Sequence, residues 1–247
     1  MFLNKTIQHY RYNFFFILLC LYPWALISGP FLSDLITTIL CFYIIFKSIL
    51  EKDFSYLKKI YFFYFILFCL YIIFNSLIIG EKFLSIKSAI FYFRFGFFAL
   101  AVAYILKINK HELKTFFYSI FFALLLLIVD SVFQKLFGFN LIGIELNHPV
   151  RVSSFFGEEL ILGSYVVKIL PIILAFLFYL NIKKNNIYSL IIVFISIFPI
   201  ILSAEKTATA SLMIFLIIYL MIFDTSSESF KMFGETTLKR KLFFIFS

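Results

Sequence analysis

Apolar residues fall in long blocks along this chain, and polar residues gather in the short breaks between them. The blocks cover approximately residues 13–29, 31–50, 60–79, 88–106, 115–134, 159–180, 187–203 and 207–223, and a further run opens at Leu242 and reaches Ser247. Runs of about 18 or more apolar residues are the length a helix needs to cross the hydrocarbon of a bilayer. Helices are required because lipid offers the backbone no hydrogen-bond partner. The runs do not alternate polar with apolar and are too long for tilted strands, which argues against a barrel. The pattern predicts an all-α, polytopic membrane bundle with eight complete transmembrane helices and the start of a ninth. No internal repeat or linker divides residues 1–247, so a single membrane domain is expected, with loops at 135–158 and 224–241.

Composition supports the class and charge orients it. With 63% hydrophobic and 14% charged residues, 39 of them Phe, the chain is too apolar for a surface solvated by water. Residues 13–29 follow Lys5 and Arg11, but no small-x-small cleavage site comes after them, so a removable signal is not expected. If the N-terminus is cytoplasmic, fifteen of the 22 Lys and Arg fall in inner segments and five in outer ones, with Arg94 and Lys168 inside spans. Cytoplasmic loops carry such an excess. The net charge of +9 is then a topology signal rather than a nucleic-acid patch, and no nucleic-acid partner is expected. Cys20, Cys41 and Cys69 all lie within apolar runs and read as packing residues.

Charges that break this orientation rule carry the functional information. Asp34, Arg94, Asp130, Arg151, Glu158, Glu159, Lys168, Glu205 and Lys206 all fall in the outer half of the predicted bundle. A charge kept inside a span is costly and marks a candidate site. Ordinary readings exist for several of them. Asp34 suits a helix start or a snorkelling position. Asp130 and Arg94 suit an ion pair between the spans at 88–106 and 115–134. Glu158 and Glu159 suit the first turn of the span at 159–180, where the helix dipole favours carboxylates. Lys168, beside Pro171, can snorkel outward, and His148 suits a solvated loop.

Arg151 and Lys206 fit such readings less well, because both sit on the side where cations are otherwise sparse. Lys206 leads into Thr207-Ala-Thr-Ala-Ser211, small residues that let helices approach closely. A guanidinium, an ammonium and a helix start suit a phosphate or diphosphate ester. The chain holds no metal-ligand spacing, Walker loop or dinucleotide fingerprint, so no cofactor is expected.

Two segments resemble a known family. Arg151-Val-Ser-Ser-Phe-Phe-Gly-Glu-Glu-Leu-Ile-Leu-Gly163, followed by a span containing proline, resembles the arginine-led outer-loop motif of the O-antigen ligase and O-antigen polymerase superfamily. Ile201-Leu-Ser-Ala-Glu-Lys-Thr-Ala208 resembles that family's Ser/Glu-Arg turn, and Arg94 falls where its members often carry an arginine in an early span. The resemblance implies a glycosyltransferase in a bacterial inner membrane, working at the outer face without metal or nucleotide. Its donor would be an undecaprenyl-diphosphate-linked glycan, and its acceptor lipid A–core or another lipid-linked repeat unit. Arg151, Lys206, Arg94, Lys168 and Glu205 are then the expected substrate-binding residues. Family members are longer and carry a histidine thought to be catalytic in a large external loop. This chain is therefore expected to correspond to the N-terminal part of that fold, with Glu158, Glu159 and His148 as its own candidates for catalysis. Lys206 stands where the family usually has arginine, which keeps the charge but loses the planar fork. The rival expectations are a transporter or flippase of a lipid-linked or small anionic substrate, using Lys168 and Pro171 at a broken helix, or an inactive remnant.

The orientation has a direct check. Cysteines placed at Asn147 and Glu81 are expected to react with an impermeant thiol reagent added outside, and cysteines at Asn185 and Thr225 to stay protected. Outside labelling at Asn185 would reverse the topology.

Overall fold

The computed structural model describes residues 2–79, 82–107, 110–146, 148, 150–180 and 185–224. Among them the regular structure is helical, with one isolated bridge between Phe139 and Glu145. The helices are α1 (Phe2–Ser28), α2 (Pro30–Glu51), α3 (Ile60–Ile79), α4 (Lys82–Ile90), α5 (Phe93–Lys107), α6 (Lys110–Phe137), α7 (Leu162–Tyr179), α8 (Asn185–Leu202) and α9 (Lys206–Asp224). Five segments are long and apolar enough to cross a membrane: Pro30–Glu51, Ile60–Ile78, Ser85–Leu106, His111–Phe137 and Leu162–Tyr179. The runs expected at 13–29, 187–203 and 207–223 are helical too, with apolar lengths of 10–17 residues. The polar segment expected at 224–241 lies beyond Asp224, outside the described residues, as does the run from Leu242.

The chain falls into two compact units, Met1–Leu126 with Phe178–Asn181 and Leu127–Leu177 with Ile182–Ser247. In the first, α2 packs on α1 and α5, and α3 on α4. Gly29, at φ 129°, turns the chain between α1 and α2, a conformation that suits a residue without Cβ. Pro30 follows as the first residue of α2, where its missing N–H and fixed φ cost nothing. The buried face of α2 runs through Ser33, Ile36, Thr37, Leu40, Cys41, Ile44 and Ser48, the spacing of one helical stripe. Its hydroxyls satisfy themselves on their own helix: Ser33 Oγ donates to the Pro30 carbonyl at 3.0 Å, Thr37 Oγ1 to Ser33 at 2.8 Å and Ser48 Oγ to Ile44 at 2.8 Å. That suits an environment without water. Between α1 and α6, Trp24 Nε1 donates to Ser119 Oγ at 3.1 Å, and Ser119 donates in turn to the Cys20 carbonyl. Cys20, Cys41 and Cys69 are free thiols, as expected. Tyr61, Phe63, Tyr64, Phe68, Tyr71 and Phe74 on α3 are exposed, which a lipid solvent tolerates and water would not.

Several sequence expectations are corrected. Within the membrane-length segment Ser85–Leu106, which matches the run expected at 88–106, the helix is interrupted by a turn at Phe91 and Tyr92, so Arg94 is the second residue of α5. Arg94 pairs with Asp34 of α2 rather than with Asp130, its Nη2 donating to Asp34 Oδ2 at 2.9 Å. The reason is helix adjacency, since α2 and α5 pack on each other. Its guanidinium also lies 5.0 Å from the Phe95 ring centroid, and its buried Nε has no partner among the described residues. The span expected to end at 134 continues as α6 to Phe137. Seven residues place Asp130 about 10 Å from that end. Glu158 and Glu159 are not in the first turn of α7, which begins at Leu162. Pro171 does not break α7, which runs continuously to Tyr179.

A double-mutant cycle tests the ion pair. Arg94→Ala and Asp34→Ala are each expected to lower thermal stability in detergent, and the double variant to recover part of the summed loss. The coupling should be about 0.5–1 kcal/mol, because both groups are partly exposed. Purely additive losses would show that the pair contributes nothing.

Candidate anion site at the turn between α8 and α9

This site lies entirely in the second unit and is built around the start of α7. Four N–H groups at the beginning of any helix lack an intrahelical acceptor. The residue preceding α7 is Ile161, whose side chain cannot cap. Glu205 supplies the acceptor from 42 residues away: its Oε1 accepts from Gly163 N at 2.8 Å and its Oε2 from Ser164 N at 3.3 Å. Ser164 Oγ donates to the same carboxylate. Glu205 also stands immediately before α9, its carbonyl accepting from Thr209 N at 3.0 Å. One buried residue therefore ties together the starts of two helices, the arrangement an N-cap normally makes within one. The role expected of Glu158 and Glu159 belongs to Glu205.

Close approach at this junction depends on Gly163. A Cβ built on it would run into Ser203 Oγ and lie 2.9 Å from the Ala208 Cβ. Ser203 Oγ is occupied, donating to the Ile200 carbonyl at 2.7 Å while accepting from Glu205 N at 3.3 Å. Ala204 completes the tight turn at φ 50°, in the left-handed region that few side chains adopt.

Arg151 is the strut between the loop that joins α6 to α7 and this turn. Its Nε donates to the Ser203 carbonyl at 3.1 Å and its Nη2 to the Leu160 carbonyl at 3.3 Å. Next to it, Val152 N donates to Leu202 O at 3.0 Å. Arg151 takes part in neither of the ion pairs found among the described residues, Lys47–Glu51 and Arg94–Asp34. The guanidinium is half-buried and only partly used by these carbonyls.

The loop that carries Arg151 is fixed by Gln134 and Asn140, which sequence reading passed over, and by Asp130, which it assigned to Arg94. Ser154 sits in the left-handed region at φ 55°, fully buried. Its backbone N donates to Gln134 Oε1 at 2.6 Å, its carbonyl accepts from Asn140 Nδ2 at 3.1 Å, and its hydroxyl donates to Asp130. Asp130 Oδ1 also accepts from Leu141 N at 2.8 Å. Asn140 Oδ1 accepts from Ile142 N at 3.1 Å and Ile144 N at 2.7 Å, closing the turn at Gly143. Buried polar groups must be paired, and these are. The available signal was Asp130 and Gln134 at i, i+4 on one helix face, followed by Asn140.

The other expected residues occupy separate places. Lys206 is exposed at the first position of α9 and lines a shallow cleft with Ala204, Glu205, Thr209, Ala210 and Met213. Lys168 lines a different groove, facing Thr207 and Ser211. Glu158, Glu159 and His148 are exposed in the loop, and the His148 carbonyl accepts from Arg151 N at 3.3 Å. Arg94 belongs to the first unit. The second unit thus joins Arg151, Glu205 and the turn leading to Lys206, while Lys168 serves another surface.

Glu205→Ala leaves three donors at the start of α7 without an acceptor and is expected to lower stability by about 2–3 kcal/mol. Glu205→Gln keeps one acceptor oxygen and should lose roughly half as much. Thermal melting of both variants in detergent checks the ordering, and equal losses would show that the capping bonds are not the source.

Compared with family models, with curated proteins and with solved structures, the chain matches none.

Proposed function

We propose that this chain is the membrane part of a glycosyltransferase of cell-surface polysaccharide assembly, of the O-antigen ligase or polymerase type. In this reading it spans the bacterial inner membrane eight times with its N-terminus inside. The segments around Arg151 and Lys206 face outward and hold the diphosphate of an undecaprenyl-linked glycan. The glycan passes to a hydroxyl of lipid A–core or of another lipid-linked repeat unit, and the lipid diphosphate departs.

One observation carries the reading. The two segments that resemble the family are about 50 residues apart, yet they are hydrogen-bonded through Arg151 to Ser203 and Val152 to Leu202. A shared site requires such convergence. Arg151 has donors left after its two carbonyl bonds, and Lys206 is an exposed ammonium a few residues beyond Ser203. Cations held in position stabilise charge that develops on a leaving diphosphate. Glu205 is fully engaged at the start of α7, so it neutralises neither cation by direct pairing among the described residues. The carrier alternative rested on a helix broken near Lys168, and α7 is continuous there.

The test is binding of undecaprenyl diphosphate in nanodiscs, with undecaprenol as the uncharged control. Lys206→Ala is expected to weaken diphosphate binding about tenfold or more, since a charge-assisted contact contributes about 1.5–3 kcal/mol. Lys206→Arg should be tolerated. Arg151→Ala should weaken binding and also lower the melting temperature, because it removes the strut, and Arg151→Lys should fall between. Parent-like binding by both alanine variants would remove the physical basis of the reading.

A further inference from the structure

We infer that the groove between α7 and α9 is a binding site for an anionic phospholipid, with its phosphate at Lys168 and one acyl chain along α9. The groove has a volume of about 470 Å³. One wall is the α7 stripe Ser164, Val167, Lys168 and Pro171, at i, i+3, i+4 and i+7; the other is α9 from Thr207 through Ser211 to Ile218. The two helices begin at one level because Glu205 joins their starts, and they are held close there by Gly163 against Ala208.

The lining is graded like an amphiphile. Thr207, Ser211 and Lys168 supply two hydroxyls and one cation near the helix starts, while Ile214, Phe215 and Ile218 form an apolar floor farther along. From Thr207 to Ile218 is eleven residues, about 16 Å of helix. That matches the roughly 15 Å hydrocarbon depth of one leaflet, half of a core about 30 Å thick. Lys168 lies six residues after Leu162, about 9 Å along the helix. It is exposed and makes no hydrogen bond or ion pair among the described residues. Its stem can lie on the apolar wall with the ammonium raised toward the headgroups. A cation at that depth without a carboxylate calls for an occupant that brings its own negative charge. A lipid phosphate does so, and its chain fills the apolar floor. The site is independent of the proposed transferase reaction, since Lys206 lines a cleft on a different face of α9.

The experiment places a reporter on the groove floor. The full chain carrying Phe215→Trp, corrected against the parent for Trp24, is titrated in detergent micelles with phosphatidylglycerol or phosphatidylcholine bearing brominated chains, which quench tryptophan on contact. Phosphatidylglycerol is expected to reach half-quenching at about one-tenth the concentration of phosphatidylcholine or less. Adding Lys168→Gln should abolish that preference and Lys168→Arg should keep it, while millimolar inorganic phosphate should not compete. Equal quenching by the two lipids, a preference that survives Lys168→Gln, loss of it with Lys206→Gln instead, or displacement by phosphate would each overturn the inference. If Lys168→Gln does not fold, the comparison of the two lipids on the reporter with Lys168 intact still decides.

Discussion

Much of the second unit hangs on the Glu205 carboxylate. A helix start inside an apolar environment leaves N–H groups that neither lipid nor water can satisfy, and leaving them unpaired costs several kcal/mol in total. Glu205 answers this for α7 while standing at the threshold of α9, so both helices begin together. The short turn before it is thereby held in place, Gly163 must be small, and the groove below Ala208 opens between two helices of fixed register.

The loop between α6 and α7 depends on this turn from one side and on α6 from the other. Arg151 and Val152 bond to its backbone at Ser203 and Leu202, while Ser154 is gripped by Asp130, Gln134 and Asn140. Ser154 holds a left-handed backbone that costs on the order of 1–2 kcal/mol. Its three hydrogen bonds from three different side chains offset that strain. The consequence is positional: Arg151 is presented from a loop braced at both ends.

The first unit works by simpler means. Its buried hydroxyls bond back to their own helices, its cysteines pack as free thiols, and its exposed surface is largely aromatic and aliphatic. Among the described residues it holds polar contacts between helices at the Asp34–Arg94 pair of α2 and α5 and at Trp24, Ser119 and the Cys20 carbonyl of α1 and α6. Adjacency of α2 and α5 selects that partner over Asp130, which has its own donors in Leu141 and Ser154.

Sequence alone determined the class of fold, because an apolar run of membrane length has few other stable forms. It also marked Arg151 and Lys206, grouped with Arg94, Lys168 and Glu205, as candidates for one site, through the charge asymmetry and the resemblance of two short segments. Tertiary structure decided what each residue does. Helix caps, ion pairs and loop anchors depend on which segments meet, and meeting distance is not written in spacing along the chain. Glu205 took the capping role that proximity suggested for Glu158 and Glu159, since the chain leaves Gly157 in a turn and α7 starts only at Leu162. Arg94 found Asp34, 60 residues before it. Lys168 and Lys206 looked like members of one cationic set, but Lys168 of α7 lines a groove against Thr207 and Ser211 of α9, while Lys206 lines a separate cleft with Thr209, Ala210 and Met213.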